Sequence, residues 1–514
     1  MTTEVQDASD PRAARTFPRF VRAIAAAYGD TPAVTLAGQT LPDEAMSFAG
    51  LESQSAELAR GLIARGAGKG SRIGFIHGNG PAFVRVFAAI ARIGAVAVPI
   101  STLIKADELV RVLRQSDVQG LIVQRSLLGH DFVARLCDAL PELREATGPD
   151  LRIDRAPYLR WIVSSGDALP ATIQPMSALT DAAASVSDTL LQAVEAEVHP
   201  TDQIVEIYTS GSMALPKGVR HLHGPVLFRT AYLADITERT RYPQFPISLP
   251  LFWVGGLGLL LLPTLAVGGT SLCTEGTATN SLSAMGTVLS EKDLEPMAQS
   301  RPFWGLGMSE TFGPYSYGDV LRAPGHPLCA PIDHIAEGYE VRVVDAEGQP
   351  VADGGTGEIQ VRGVALTPGL HKLERADYFT PDGYYRTGDL GLIEGNRIHF
   401  VGRDGDMIKA AGSNVSPAEV EMEMQQLEGI HSAYVIGLPD AERGQFIVAA
   451  VVPREGAVLD FDQVQATLRK RLSSYKVPRA YVAITREEVP MLPSNKVARR
   501  QIAAMMAKAL DRPA

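Results

Sequence analysis

Residues 208–218 read YTSGSMALPKG. The run leading into them, IVEIY (Ile204–Tyr208), is apolar and β-branched, which predicts a buried strand. Four small or hydroxyl residues follow, Thr209, Ser210, Gly211 and Ser212, and then Pro216-Lys217-Gly218. A strand opening into such a loop can wrap backbone N–H groups and hydroxyls around a polyphosphate, with the lysine offsetting charge. The Gly-Lys-Ser/Thr ending of the common P-loop is absent.

Working outward, residues 72–100 predict an α/β unit. RIGFIH (Arg72–His77) reads as a strand and Gly78-Asn79-Gly80 as a turn. Pro81 suits a first helical position, and Phe83, Phe87 and Ile90 follow at helical spacing. VAVPI (Val96–Ile100) is a second strand. Similar units recur to about residue 270, which predicts stacked, mostly parallel sheets. From Tyr339 the texture changes: EVRVVDAEGQPV turns around Glu347-Gly348 and GEIQVRG follows, a β-hairpin subdomain at about 335–402. Ser416-Pro417-Ala418-Glu419 reads as a capping box opening a helix, followed by strands SAYVIGL and FIVAAVV. The expected architecture is α/β. A large N-terminal domain of stacked α/β sheets plus the β subdomain spans 1–402, and a small mobile α+β domain spans 403–514.

With 514 residues, more than one core is expected. The 48 basic and 58 acidic residues leave a net charge of −10, which argues against nucleic acid or an anionic membrane as the main partner. Cys137, Cys273 and Cys329 are far apart and fit a reducing cytoplasm better than a disulfide framework. The N-terminus MTTEVQDASDPRAAR has no apolar core of a secretory signal. The apolar run Leu257–Val267 is broken by Pro263 and too short to span a bilayer.

The loop at 208–218 resembles the phosphate loop of the adenylate-forming superfamily, which includes acyl-CoA synthetases, peptide-synthetase adenylation domains and luciferases. Its usual form is close to S-G-T-T-G-x-P-K-G. Four further segments match that superfamily in order. GLGMSETFG (Gly305–Gly313) resembles Y-G-x-T-E, which implies that Ser309 and Glu310 hold Mg²⁺ and the nucleotide phosphates, with Gly307 beside the nucleotide and Gly305 at the acyl pocket. YYRTGDLG (Tyr384–Gly391) resembles Y-R-T-G-D, which makes Asp389 the acceptor for the ribose hydroxyls. FVGRDGDMIKAAGSNVSPAEVE (Phe400–Glu421) implies that Arg403 meets the ribose or phosphate and that the C-terminal domain hinges at Gly405. A glycine suits a position that must swing. In the same segment Lys409, Ala411 and Gly412 would face the pantetheine channel. PSNKVARR (Pro493–Arg500) resembles P-x-G-K and makes Lys496 the lysine of the adenylation step.

The resemblance implies a two-step reaction using ATP or acyl-AMP, Mg²⁺ and coenzyme A. A carboxylate attacks the ATP α-phosphate, releasing pyrophosphate; a thiol then attacks the acyl-adenylate and AMP leaves. The acid is expected to be bulky and apolar.

Five departures fall on the first step. Met213 and Ala214 replace a threonine and a glycine of the phosphate loop, and Leu306 stands where many members place a tyrosine against adenine. Trp253, in SLPLFWVGG, replaces a histidine bordering the acyl pocket. The passage 271–304 is some tens of residues shorter than usual, so either part of the nucleotide and acyl wall is lacking or a piece of sequence is missing. Adenylation is therefore expected to be weakened or lost while CoA transfer is retained, a separate adenylating enzyme then supplying the acyl-adenylate. Retention of Lys496 argues the other way. A stand-alone adenylating enzyme for a carrier-protein thiol, a degenerate nucleotide-binding non-enzyme, and a homodimer all stay open.

Overall fold

The computed structural model describes residues 10–145, 147–209, 216–275, 306–316, 329–331, 335–395, 397–403, 408–410, 413–415, 417–440, 444–490, 497 and 499–511. The chain divides into two compact units. The first comprises residues 1–102, 113–208 and 218–401; the second comprises 103–112, 209–217 and 402–514.

A seven-stranded sheet organises the first unit. Its strands are β1 (Arg72–Ile76), β2 (Val96–Pro99), β3 (Gly120–Val123), β4 (Trp161–Ser164), β5 (Ile173–Pro175), β6 (Gln203–Thr209) and β7 (Lys217–Leu222). They lie in the order β7-β6-β2-β1-β3-β4-β5. The ladders joining β6, β2, β1, β3, β4 and β5 are parallel, with Ile73 opposite Ala97 and Gly74 opposite Leu121. Every residue of β2 and β3 is buried, as expected of parallel strands covered on both faces. Helix α1 (Pro81–Arg92) starts at Pro81 and carries the chain from β1 to β2. The connection from β3 leads the opposite way, to β4. Neighbouring strands β1 and β3 thus send the chain in opposite directions, the topology that opens a crevice at the carboxyl edge of a sheet.

A second sheet of four strands orders Gln244–Pro246, Thr270–Thr274, Pro32–Ala37 and Glu44–Ser47. The core is rich in aromatic residues: Phe17 meets Phe87 edge-on at 5.3 Å, and Phe75 meets Phe83 at 4.9 Å. Full burial of one such ring contributes about 1.5–3 kcal/mol.

The apolar run at 257–267 departs from its reading as broken at Pro263. The chain is a π-helix over Gly255–Leu261 and an α-helix over Leu262–Ala266. Pro263 falls in the first turn of the α-helical part, where a missing N–H is tolerated. Among the described residues no helix is long and apolar enough to cross a membrane.

The third sheet contains β8 (Cys329–Pro331), β9 (Tyr339–Val344), β10 (Thr356–Gly363), β11 (Tyr385–Glu394) and β12 (Arg397–Arg403), in the order β8-β12-β11-β10-β9. The turn read at Glu347-Gly348 is present: Asp345 N–H donates to the Gln349 carbonyl at 2.9 Å, and Gly348 N–H to that of Asp345 at 3.1 Å.

The second unit is α+β. Its sheet is built on β13 (Ile408–Ala410), β14 (Ser413–Val415), β15 (Ile430–Asp440), β16 (Gly444–Pro453) and β17 (Ala480–Ala483). Helices α2 (Pro417–Gln425), α3 (Phe461–Arg471) and α4 (Arg499–Ala509) accompany it. Apolar residues fill two clusters, one containing Met424, Val435 and Leu468, the other Ile436, Val448 and Ile502. Within this unit the buried Lys476 ammonium donates to Glu108 Oε1 at 2.8 Å and Glu419 Oε1 at 2.9 Å. Burial alone would lower its pKa, yet Tyr475 and the two carboxylates hold it raised.

Candidate active site

In the first unit the GLGMSETFG segment folds into a small hairpin, Gly307–Met308 against Gly313–Pro314, with a 3₁₀ turn over Ser309–Thr311. Gly307 is required by close approach: a Cβ there would lie 2.5 Å from Pro314 Cα. Thr311 knots the turn, its Oγ1 accepting from Met308 N–H at 3.2 Å and donating to the Gly313 carbonyl at 2.6 Å. Tyr339 Oη donates to the Thr311 carbonyl at 2.6 Å. Phe312 closes the turn in the left-handed region, φ 48°, and its ring is fully buried.

Glu310 is buried at the centre of this turn, 7% exposed. Its backbone carbonyl accepts from Thr367 N–H at 2.7 Å, and its Oε1 accepts from the Tyr385 hydroxyl at 2.9 Å. Tyr385 is the first residue of β11, the strand that also carries Asp389. Asp389 is half-buried, and its N–H donates to Thr387 Oγ1 at 3.0 Å. The Tyr315 phenol feels the Asp389 charge: burial first, then that carboxylate, push its pKa above the ordinary range. The Tyr385 bond thus ties the Glu310 turn to the strand that carries Asp389.

His221, on β7, is a third support. Its ring stands edge-on to Phe312 at 4.8 Å and hydrogen-bonds the backbone of Ser309. Burial holds it neutral, with its pKa lowered to about 3. The segment carrying Trp253 also packs on the Phe312 ring: a Cβ at Gly258 would come within 2.7 Å of it. Trp253 itself is half-buried and meets Phe252 edge-on at 5.7 Å. Leu306, the residue in place of an adenine-facing tyrosine, packs against a core containing Tyr315 and Ile359.

Thr209 ends β6 and Lys217 begins β7, so the phosphate-loop reading is framed by two described residues. Beneath it the buried Glu206 pairs with Arg72 and accepts from Tyr208 Oη at 2.8 Å. Arg403 closes β12. Lys409 is exposed on β13, its N–H donating to Gln445 Oε1 at 2.5 Å. Ser210, Gly211, Ser212, Gly305, Gly405, Ala411, Gly412 and Lys496 lie outside the described residues, as do Met213, Ala214 and 276–304.

The motif reading singled out Ser309, Glu310 and Asp389 but missed Tyr385, Thr367 and His221. Tyr385 was inside a quoted motif, yet its hydroxyl serves a residue 75 positions away. For Mg²⁺, Glu310 offers one carboxylate and the preceding residue, Ser309, one hydroxyl. That fits an ion that habitually takes one or two carboxylates and completes its shell with phosphates and water.

The profile of the AMP-binding enzyme family matches residues 21–293, and that of the AMP-binding enzyme C-terminal domain matches 419–496. The chain belongs to this family of adenylate-forming enzymes and is an enzyme of the acid–thiol ligase class. It is similar to a feruloyl-CoA synthase of Amycolatopsis sp, 27% identical over 503 residues, covering 89% of this chain and 93% of the relative. An indoleacetate–CoA ligase of Aromatoleum aromaticum is 27% identical over 515 residues, covering 91% and 94%. Among solved structures, o-succinylbenzoate CoA synthetase from Bacillus subtilis, bound with a product analogue, shares the fold with a TM-score of 0.70 at 19% identity, covering 94% of this chain and 98% of that one.

Proposed function

We propose that this chain joins a bulky apolar carboxylic acid, an aromatic one in particular, to coenzyme A through an acyl-adenylate. The observation that carries the reading is the hydrogen bond from Tyr385, on the strand that carries Asp389, to the buried Glu310 carboxylate. The turn with a carboxylate suited to a phosphate-bound cation is thereby tied to the strand with one suited to ribose hydroxyls. The names of the feruloyl and indoleacetate relatives support an aromatic acid.

In this reading Thr209, Ser210, Gly211, Ser212 and Lys217 bind the phosphates, and Ser309 and Glu310 would hold Mg²⁺. That ion, when bound, neutralises charge that builds on the phosphate oxygens. Lys496 offsets the same charge as the acid's oxygen attacks the α-phosphate and pyrophosphate leaves. Asp389 and Arg403 retain the adenylate. The C-terminal unit then turns about Gly405 and brings Lys409, Ala411 and Gly412 to the thiol path. The thiolate adds to the acyl carbonyl, the C–O bond to phosphate breaks, and AMP departs with that electron pair.

The adenylation step is the weaker of the two. Met213, Ala214, Leu306, Trp253 and the short 271–304 passage all bear on ATP or the attacking carboxylate, and a separate adenylating enzyme would supply the acyl-adenylate. Feruloyl- and indoleacetyl-adenylate with CoA should yield thioester and AMP, read by mass spectrometry. Failure of a broad set of hydrophobic adenylates sinks the ligase reading. Acid-dependent pyrophosphate exchange at a rate matching thioester formation would overturn the weak-adenylation part alone.

A further inference from the structure

A cavity of about 250 Å³ lies in the first unit, lined by none of the residues assigned above. It sits at the carboxyl edge of the seven-stranded sheet, where His77 follows β1, Gln124 follows β3 and Ser165 follows β4. This is the point at which the connections of β1 and β3 diverge, the place where open α/β sheets present ligand crevices. Its volume exceeds the about 150 Å³ that admits a benzene ring.

The wall is mostly apolar, with Leu36, Leu127 and Met176 prominent. The polar groups are not equivalent. Gln124 is held by the backbone, accepting from Gly78 N–H at 3.0 Å and donating to the Ser126 carbonyl at 2.8 Å. Ser165 Oγ accepts from Arg125 N–H at 3.0 Å, and Asn79 brackets Leu249 and Leu251. His77 differs. It is 6% exposed, and neither of its ring nitrogens has a hydrogen-bond partner. Burial, and then Arg85, lower its pKa to about 3, so the ring is neutral near pH 7 and offers one donor and one acceptor. Buried polar groups are seldom left unmatched without a functional reason. At the lining the single carboxylate, Glu44, is offset by the single guanidinium, Arg85.

We infer that this cavity binds a small uncharged amphipathic molecule, with a ring-sized apolar body against Leu36, Leu127 and Met176 and one hydroxyl or carbonyl hydrogen-bonded to His77. A charged ligand is disfavoured, because the wall is mostly apolar and its one acidic and one basic side chain give it no net charge. Asn79 lies in the same wall and clamps the backbone of residues 249–251, so the occupant sits one side chain from the segment that carries Trp253.

The test uses the full chain and three ring-sized probes, phenol, toluene and benzoate, titrated by saturation-transfer NMR. Phenol should bind saturably and more tightly than toluene, and benzoate most weakly. His77→Phe should weaken phenol by about tenfold, the worth of one hydrogen bond, while sparing toluene. Ala82→Leu, which narrows the cavity from α1, should weaken both and keeps the test valid should His77→Phe not fold. Phenol binding that neither substitution alters, or benzoate binding most tightly, overturns the proposal. A crystal structure grown with phenol that shows only water beside His77 overturns it too.

Discussion

The Tyr385 hydroxyl donates to Glu310 Oε1 at 2.9 Å, in a pocket where both side chains are buried. This bond ties the strand that carries Asp389 to the turn that carries Glu310, the carboxylate proposed to hold the cation. A carboxylate out of water needs such a donor, because an unmatched buried charge is costly.

Tyr385→Phe removes that donor and keeps the ring, which also stands edge-on to Phe379 at 5.2 Å. Losing a hydrogen bond to a charged group costs about 1.5–3 kcal/mol. The rate of thioester formation should fall roughly ten- to a hundredfold, and the Mg²⁺ concentration giving half-maximal rate should rise. A rate and Mg²⁺ dependence equal to the parent's would show that Glu310 is held without Tyr385.

Asp389→Ala should weaken binding of a non-hydrolysable acyl-adenylate analogue. If Asp389 binds the ribose hydroxyls as proposed, losing such charge-assisted bonds costs about 1.5–3 kcal/mol, or roughly ten- to over a hundredfold in Kd. Calorimetric titration checks this directly. The Tyr315 phenol should titrate at a lower pH in the variant, since the Asp389 charge helps to raise it. Unchanged analogue affinity would remove Asp389 from the nucleotide site.

How much of this was legible in sequence depended on distance along the chain. The strand at 204–208 and the helix starting at Pro81 follow from local pattern, and both are present. Asp389 and Glu310 were found because each sits in a compact motif. The bond from Tyr385 to Glu310 was not, because its partners are 75 residues apart and only the tertiary fold brings them together. Pro263 misled for a related reason: the local rule makes proline a breaker, while a π turn ahead of it lets the helix continue. His77 carried no signal at all, since a histidine after a strand looks ordinary until its nitrogens are seen without partners.

Acid stability should depend on Glu275. Burial raises its pKa, but the Thr40 hydroxyl and the N–H groups of Thr40, Gln39 and Leu41 outweigh that and lower it to about 2 from 4.5. The folded value is depressed, so the stabilisation is fully present above pH 4.5 and is lost as pH falls through about 2. Glu275→Gln should lower the unfolding midpoint at pH 7. The gap between variant and parent should close as the pH is taken from about 4.5 towards 2. A gap that stays constant across that range would mean the carboxylate's charge is not what holds the 39–41 turn.

Gly258 and Phe312 give the sharpest test of how the glycine-rich helix supports the site. A Cβ on Gly258 would lie 2.7 Å from the Phe312 ring, which is fully buried and follows the Ser309–Thr311 turn in a left-handed conformation. The ring cannot swing away cheaply, because His221 blocks it at 4.8 Å. Overpacking a core in this way costs about 1–3 kcal/mol. Gly258→Ala should therefore lower thermal stability and also thioester formation, by displacing the turn that holds Glu310. Phe312→Leu alone should destabilise by leaving a partial void. In the double variant the smaller leucine relieves the clash, so the combined loss should be less than the sum of the two single losses. Strict additivity in both unfolding midpoint and rate would show that the helix and the turn are not mechanically joined at this contact.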